Sequence, residues 1–309
     1  MIVTVPLRAA FGVAATLSVA CMATEVRADD ASPWQQDTHS AVRLLAGSRS
    51  GAVLQVAPAV ADEVAAATGI PRTIIGETDQ NDPRIVNDES RGGYGLSAQW
   101  LDDVHHALHV AATGETHGYY ADFAPLEAVA KVMERTYFHD GTRSTFRSRD
   151  HGRPVPDAVP NHAWVASIQN HDQVGNRAAG DRTSAVLSEG SLAAEAALLL
   201  AGPHVPMLFM GEEWNATAPF LFFTDHNAEL APLVTAGRRK EFAKFAAFQD
   251  PEKRERIPDP NAEETFRASV PNPSEAERPE HAAVLDLHRR LLALRRDRIV
   301  PNLPGAASL

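Results

Sequence analysis

The sequence predicts an α/β fold with a parallel sheet covered on both faces. Two observations carry this expectation. Short apolar runs alternate along the chain with segments of helical periodicity. The apolar runs also end in clusters of polar side chains, and parallel sheets build their sites at the carboxyl ends of their strands. The 309 residues are 44% hydrophobic, enough for a sizeable core and too apolar for wholesale disorder.

Ala59 to Thr68 reads as a helix ended by Gly69 and Pro71. Thr73-Ile74-Ile75 is a short buried strand, and Tyr94-Gly95-Leu96 leads into a second polar cluster. Phe123 to Tyr137 is an amphipathic helix with Pro125 in its first turn and Leu126, Val129, Ala130, Met133 and Tyr137 on one face. Trp164 to Ile168 and Val205 to Met210 are strands on either side of a helix over Ser191 to Ala201, which Gly202-Pro203 stops. Asp250 to Arg278, rich in proline and charge, reads as a long surface loop. Pro279 to Asp297 is a helix with Val284, Leu287, Leu291 and Leu294 on one face.

The first residues differ from the rest. Met1 to Arg8 carries one positive charge, Ala9 to Ala23 is apolar, and Val26-Arg27-Ala28 suits cleavage. Residues 1–28 thus read either as an export leader or as a spurious start, and the apolar stretch Ala9 to Ala23 is too short for a spanning helix. Residues 29–72 form an irregular segment, and residues 73–309 carry the strand and helix alternation. Lys plus Arg number 29 against 40 Asp plus Glu, a formal net charge of −11. That balance argues against nucleic acid and anionic membrane as partners. The single cysteine, Cys21, excludes an intramolecular disulfide and a cysteine metal cluster.

Three polar clusters carry the chemistry. Glu77 comes directly after the Thr73 strand, where partial desolvation suits a general acid, although a surface glutamate at a strand end is the plainer alternative. Gln169-Asn170-His171-Asp172-Gln173 comes after the Trp164 strand, and five polar residues exceed what a cap requires. They can grip hydroxyls or face developing positive charge. Trp100, Asp102, Asp103, His105 and His106 form the third cluster. Neighbours on a helix diverge by ~100°, so these acids and histidines cannot all face one metal ion; a pocket wall with an aspartate-headed helix fits better. Trp100 either stacks on a sugar or belongs to the core. Glu212-Glu213-Trp214 repeats the pattern of acid and aromatic after an apolar run. Acids with nearby tryptophans and no phosphate loop point to carbohydrate, with no metal and no cofactor.

These residues resemble a known family. Ile75-Gly76-Glu77 with Asn81-Asp82-Pro83-Arg84, the run from Gly95 to His106 with its Asp-Asp-x-His-His, and Gln169 to Arg177 are similar to the malto-oligosyltrehalose trehalohydrolases of the α-amylase clan. So are Phe209 to Trp214 and Pro219 to His226 with its Phe-Phe-Thr-Asp-His. The resemblance implies a (β/α)8 TIM barrel and a retaining glycosidase that cuts the α-1,4 bond next to the terminal trehalose of malto-oligosyltrehalose. It places Glu77 on the acid/base and Asp172 on the transition-state stabiliser. It sets His171, Trp100, Asp103, His105, His106, Gln169, Asn170, Gln173 and Trp214 around the substrate.

The sequence departs from the pattern at the nucleophile. The family segment Gly-x-Arg-x-Asp-Ala-x-His has its nearest counterpart in Gln35-Gln36-Asp37-Thr38-His39, with Gln35 in place of the arginine. Asp37 is the candidate nucleophile. A complete barrel takes about 250 residues, whereas 72 precede Thr73. The chain therefore reads as an incomplete barrel, strands five to eight with their helices, expected to be inactive and poorly stable on its own, with open edges that favour self-association. The alternatives are a glucan-branching transferase of the same clan and a non-catalytic glucan-binding remnant. The family implies the cytoplasm; the leader, if real, implies export.

Overall fold

The computed structural model describes residues 2–8, 14–21, 60–242 and 256–303. The expected parallel arrangement is present. The main sheet contains β1 (Ile2–Arg8), β2 (Ala14–Cys21), β3 (Ile74–Glu77), β4 (Ala98–Trp100), β7 (Trp164–Ala166) and β8 (Val205–Pro206), in the order β1-β2-β3-β4-β7-β8. A separate antiparallel ribbon joins β5 (Thr142–Ser144) to β6 (Arg149–His151). β3, β4, β7 and β8 are parallel neighbours, with Ile75 opposite Ala98, Gln99 opposite Trp164 and Val165 opposite Val205. β1 and β2 form an antiparallel hairpin, and β2 pairs antiparallel with β3. The expectation of an open edge on β3 is corrected here, because Ala14–Cys21 supplies its backbone partners.

The strands are shorter than their apolar runs. Beyond Ala166 the chain leaves the ladder, and the carbonyl of Ile168 takes a side-chain donor from His105 instead of a neighbouring strand. In the run from Val205, only Val205–Pro206 pairs; Pro206 has no N–H to donate, and the Met207 N–H makes a last bond to Ala166.

The helices are α1 (residues 60–68), α2 (Asp102–Thr113), α3 (Glu127–Arg135), α4 (His171–Gly175), α5 (Glu189–Ala201), α6 (Ala231–Phe242), α7 (Glu263–Ala268) and α8 (Pro279–Leu294). Asp102 and Asp103 open α2, where negative charge suits the helix dipole, and left-handed Gly114 closes it at φ 72°. α3 begins later than expected, because Gly118–Phe123 forms a 3-10 turn first. Its buried face is Ala128, Val129 and Val132, while Leu126 is 73% exposed. Ser188 caps α5 by accepting from the Ser191 N–H at 3.1 Å.

Two expectations near the C-terminus change. The segment expected to be a surface loop holds α7 and a 3-10 turn at Pro273–Glu277, with Thr265, Ser269 and Glu275 buried. Packing explains this: Ser269 Oγ accepts from the Leu221 N–H at 3.0 Å, and the Glu275 carboxylate accepts from the Thr217 N–H at 3.0 Å and from its hydroxyl. On α8 the deepest positions are His281 and His288, one heptad apart, with Arg295 continuing the spacing, whereas Leu294 is exposed.

The core packs α2 and α3 against β4 and β7 through Leu101, Val104, Leu108, Val132, Tyr137 and Trp164. Among the described residues no helix is long and apolar enough to cross a membrane.

Candidate active site

Three of the expected polar clusters arrive on one face because β3, β4 and β7 are adjacent and parallel. Glu77 is the last residue of β3 and is half-buried. Gly76 before it packs closely: a Cβ would lie 3.0 Å from both Ile85 Cγ2 and Leu96 Cδ2, which would have to shift to admit it. The connector can thus pack directly on β3 and fix where Glu77 emerges. Trp100 ends β4, and Asp102 opens α2 two residues later.

Asp102 is the electrostatic centre of this face. Burial, and after it repulsion from Asp103, Glu77, Asp79 and Asp172, pushes its carboxyl up to about 8. Asp102 therefore keeps its proton at neutral pH and can donate a hydrogen bond. It also spares Glu77 and Asp172 a further negative neighbour. From sequence alone this residue reads only as part of a pocket wall. Its signal is an Asp-Asp pair at a strand end that faces the acids of two other strand ends.

The row after β7 divides its labour. Asn170 caps α4, its Oδ1 accepting from the N–H groups of Asp172 at 2.8 Å and Gln173 at 3.0 Å. That cap presents His171 and Asp172 at the first turn. Asp172 is exposed and accepts from Asn176 Nδ2 at 2.7 Å. His171 meets Trp100 edge-on, with ring centroids 6.0 Å apart, so the second and third clusters touch. Gln169 Oε1 accepts from the Thr183 N–H at 3.2 Å, and Gln173 Nε2 reaches Asp102 Oδ1 at 3.5 Å.

The remaining expected substrate contacts lie in the packing around this face. Asp103 is buried and accepts with one oxygen from Asn81 Nδ2, the Phe138 N–H and the His139 N–H. His105 is also buried, with Nδ1 2.5 Å from the Ile168 carbonyl and Nε2 2.9 Å from the Tyr120 hydroxyl. Burial and the neighbouring His109 push its pKa down to about 3, so it is a neutral tether between α2 and the end of β7. His106 stacks on Tyr119 at 4.9 Å and meets Phe123 edge-on. Trp214 sits in the turn Glu212–Trp214, and its carbonyl is bound by His281 Nδ1 at 2.7 Å. Among the described residues no group of His, Cys, Asp and Glu is placed to hold a metal ion. Asp37 lies outside the described residues.

No protein-family model matches the chain. Among curated proteins, the malto-oligosyltrehalose trehalohydrolase of Arthrobacter ramosus is 49% identical over 276 residues, 87% of this chain and 47% of that protein. That of Mycobacterium tuberculosis is 44% identical over 275 residues, 86% of this chain and 47% of that protein. That of Saccharolobus solfataricus is 43% identical over 171 residues, 55% of this chain and 30% of that protein. The chain spans about half the length of the first two relatives. A crystal structure from Salmonella typhimurium, described as that of a candidate α-amylase, superposes with a TM-score of 0.71 at 38% identity, covering 83% of this chain and 43% of that one. Over the part of their length that it spans, the chain is thus a relative of the malto-oligosyltrehalose trehalohydrolases, on an α/β fold shared with an α-amylase-like structure.

Proposed function

We propose that β3, β4, β7 and β8 are strands five to eight of a (β/α)8 barrel, and that residues 73–309 carry the acid/base side of a glycoside hydrolase. The proposed reaction is hydrolysis of the α-1,4 bond next to the terminal trehalose of malto-oligosyltrehalose, releasing trehalose and a shortened maltodextrin. One observation carries it: Glu77, Asp102 and Asp172 meet at the ends of three neighbouring parallel strands. The relatives named for this activity, at 44–49% identity, supply the substrate.

In a retaining site, a carboxylate attacks the anomeric carbon while an acid about 5 Å away protonates the departing oxygen. Glu77 is that acid; as the resulting carboxylate it then takes a proton from the water that breaks the glycosyl-enzyme bond. Asp172 faces the positive charge that spreads over the sugar ring in both transition states. His171 and the neutral Asp102 hold hydroxyls, and Trp100 offers its face to a ring. Asp37 is proposed as the nucleophile, on the family pattern alone.

The test is trehalose release from maltotriosyltrehalose, by the chain alone, where family-like turnover would refute the half-barrel reading, and by the chain supplied with the missing half, where the following variants are read. Glu77→Gln is expected to lower turnover by about 10²–10⁴-fold with little change in KM. Unchanged turnover would remove Glu77 from the mechanism, and new branch points in place of trehalose would make the chain a transferase. Asp37→Asn should be equally damaging; full activity in that variant assigns the nucleophile elsewhere. The proposed place of action is the cytoplasm, and N-terminal sequencing of the native protein that begins at Asp29 would show export instead.

A further inference from the structure

Asp172 stands in the first turn of α4, a helix of five residues from His171 to Gly175. So short a helix does not hold itself, because its first turn fixes several residues for a single hydrogen bond. Its place is set from outside, at both ends. Asn170 does this at the N-terminal end. At the other end the last carbonyls have no partner within the helix, and Arg238 of α6 meets them. Its Nη2 donates to the Gly175 carbonyl at 2.6 Å and to the Arg177 carbonyl at 3.2 Å. A cation at a helix C-terminus is also favoured by the dipole. Arg238 is exposed by only 7%, and its guanidinium carbon lies 4.7 Å from the centroid of the Phe222 ring, a contact that attracts a cation.

The same guanidinium reaches Asp172 through one side chain. Arg238 Nη1 donates to Asn176 Oδ1 at 3.3 Å, and Asn176 Nδ2 donates to Asp172 Oδ1 at 2.7 Å. A guanidinium has only donors, so it claims the oxygen of the amide and leaves the NH2 end for the carboxylate. The backbone repeats the link, since the Asn176 N–H donates to the Asp172 carbonyl at 3.0 Å. Asp172 is exposed, so packing does not restrict the rotation of its carboxylate. Asn176 restricts it, and Arg238 restricts Asn176.

We propose that Arg238 is a positioning residue for Asp172: it clamps the end of α4 and turns the Asn176 amide so that the NH2 group holds the Asp172 carboxylate. The inference rests on the role given to Asp172 above; the clamp on Asn176 rests on these distances alone. Arg238 touches no reacting atom in this scheme. What it supplies is geometry, and misplacement of a reacting group by ~1 Å can cost about 10²-fold in rate.

The experiment has two readouts. In the full chain, nuclear magnetic resonance follows the side-chain amide of Asn176, assigned by its loss in Asn176→Ala; Arg238→Met should displace this signal. In the chain supplied with the missing half, trehalose release should show kcat lowered about 10–100-fold in Arg238→Met and in Asn176→Ala, with KM within about threefold of wild type. Because the two residues act in series, kcat of the double variant should equal that of the lower single variant within about twofold. Arg238→Lys keeps one donor for the Gly175 carbonyl but lacks the planar fork. It should regain the thermal midpoint and leave kcat low, which separates positioning from stability. Should Arg238→Met fail to fold, Asn176→Ala carries the same test, since it leaves the bonds of Arg238 to both carbonyls in place. An unmoved Asn176 amide, losses that multiply in the double variant, a loss confined to KM, or recovery of kcat together with the midpoint in Arg238→Lys would each overturn the inference. A displaced amide while Asp172→Asn keeps full turnover would sink the role proposed for Asp172 and leave the clamp standing.

Discussion

Asp103 Oδ2 accepts a hydrogen bond from Asn81 Nδ2 at 2.7 Å, tying the start of α2 to the loop beyond β3. The same oxygen accepts from the backbone N–H of Phe138 at 2.8 Å and of His139 at 3.1 Å. Asn81 is itself buried, stands in the left-handed region at φ 51°, and donates to the His139 carbonyl. One carboxylate thus fixes two connectors near the site. Asp103→Asn is expected to cost about 2 kcal/mol, since hydrogen bonds to a charged group are worth ~1.5–3 kcal/mol and the amide can replace them only in part. The urea midpoint measures this. An unchanged midpoint with a raised KM would make Asp103 a substrate ligand instead.

Asp172→Asn should depress turnover on malto-oligosyltrehalose by roughly 10²-fold or more, with little effect on affinity, because its charge acts in the transition state. The Asn176 contact and the Asn170 cap remain available to the variant, so α4 should keep its place. Steady-state kinetics separate kcat from KM; an effect confined to KM demotes Asp172 to a binding residue.

Stability should fall as pH rises from about 7.5 to about 8.5. Burial pushes the carboxyls of Asp102 and Glu212 up to about 8 and that of Glu195 to about 7. Unfolded carboxyls lose their protons near ~4, so up to this range the folded state binds more protons than the unfolded one. The buried neutral histidines, His105 and His204 among them, act in the opposite sense until unfolded histidine, with its ordinary pKa of ~6.5, has also lost its proton. The window above about 7.5 therefore isolates the acids. Glu195→Gln and Glu212→Gln together should flatten the fall and raise the melting temperature at pH 8.5. Equal melting temperatures at pH 7.5 and 8.5 in the wild-type chain would refute the assignment.

Arg295 closes the far end of α5. Its Nη1 donates to the carbonyls of Leu200 at 3.0 Å and Gly202 at 2.7 Å, and Nη2 donates to that of His204 at 2.6 Å. A cation at a helix C-terminus also meets the dipole favourably. Arg295→Met should lower stability by at least about 2 kcal/mol, because three buried carbonyls lose their donor. Arg295→Lys should recover only part of it, since an ammonium cannot present the planar fork. Denaturant melts of both variants decide this, and a neutral Arg295→Met would show the carbonyls to be satisfied otherwise.

The proposed self-association through sheet edges moves from β3 to the two ends of the described sheet, β1 and β8. β3 is covered by β2, whereas β8 is an end of the sheet and Val205 on it is 38% exposed. Size-exclusion chromatography that yields a monodisperse monomer would remove this reading.

The sequence by itself determined that strands precede Glu77 and Gln169, and parallel neighbours carry the residues just past their carboxyl ends to one face. The strand expected at Tyr94-Gly95-Leu96 lies instead at Ala98–Trp100, and Ile74 and Ile75 are half-buried. The sequence also determined the acids at those ends and the kinship of Asp-Asp-x-His-His. Only the tertiary structure decided what each polar atom does. Asp102 and Asp103 are consecutive, yet the ~100° turn of a helix sends one toward Glu77 and Asp172 and the other into a cage of N–H donors. His105 and His106 divide in the same way, into a tether and a ring stacked on Tyr119. Of the face expected for α3, Val129 and Tyr137 are buried and Met133 packs against the core, while Leu126 and Ala130 are exposed and Ala128 and Val132 are buried beside them. Local pattern fixes which residues lie at a strand end; desolvation and hydrogen-bond partners, which set proton affinity and role, come from residues far away in the chain and exist only once it has folded.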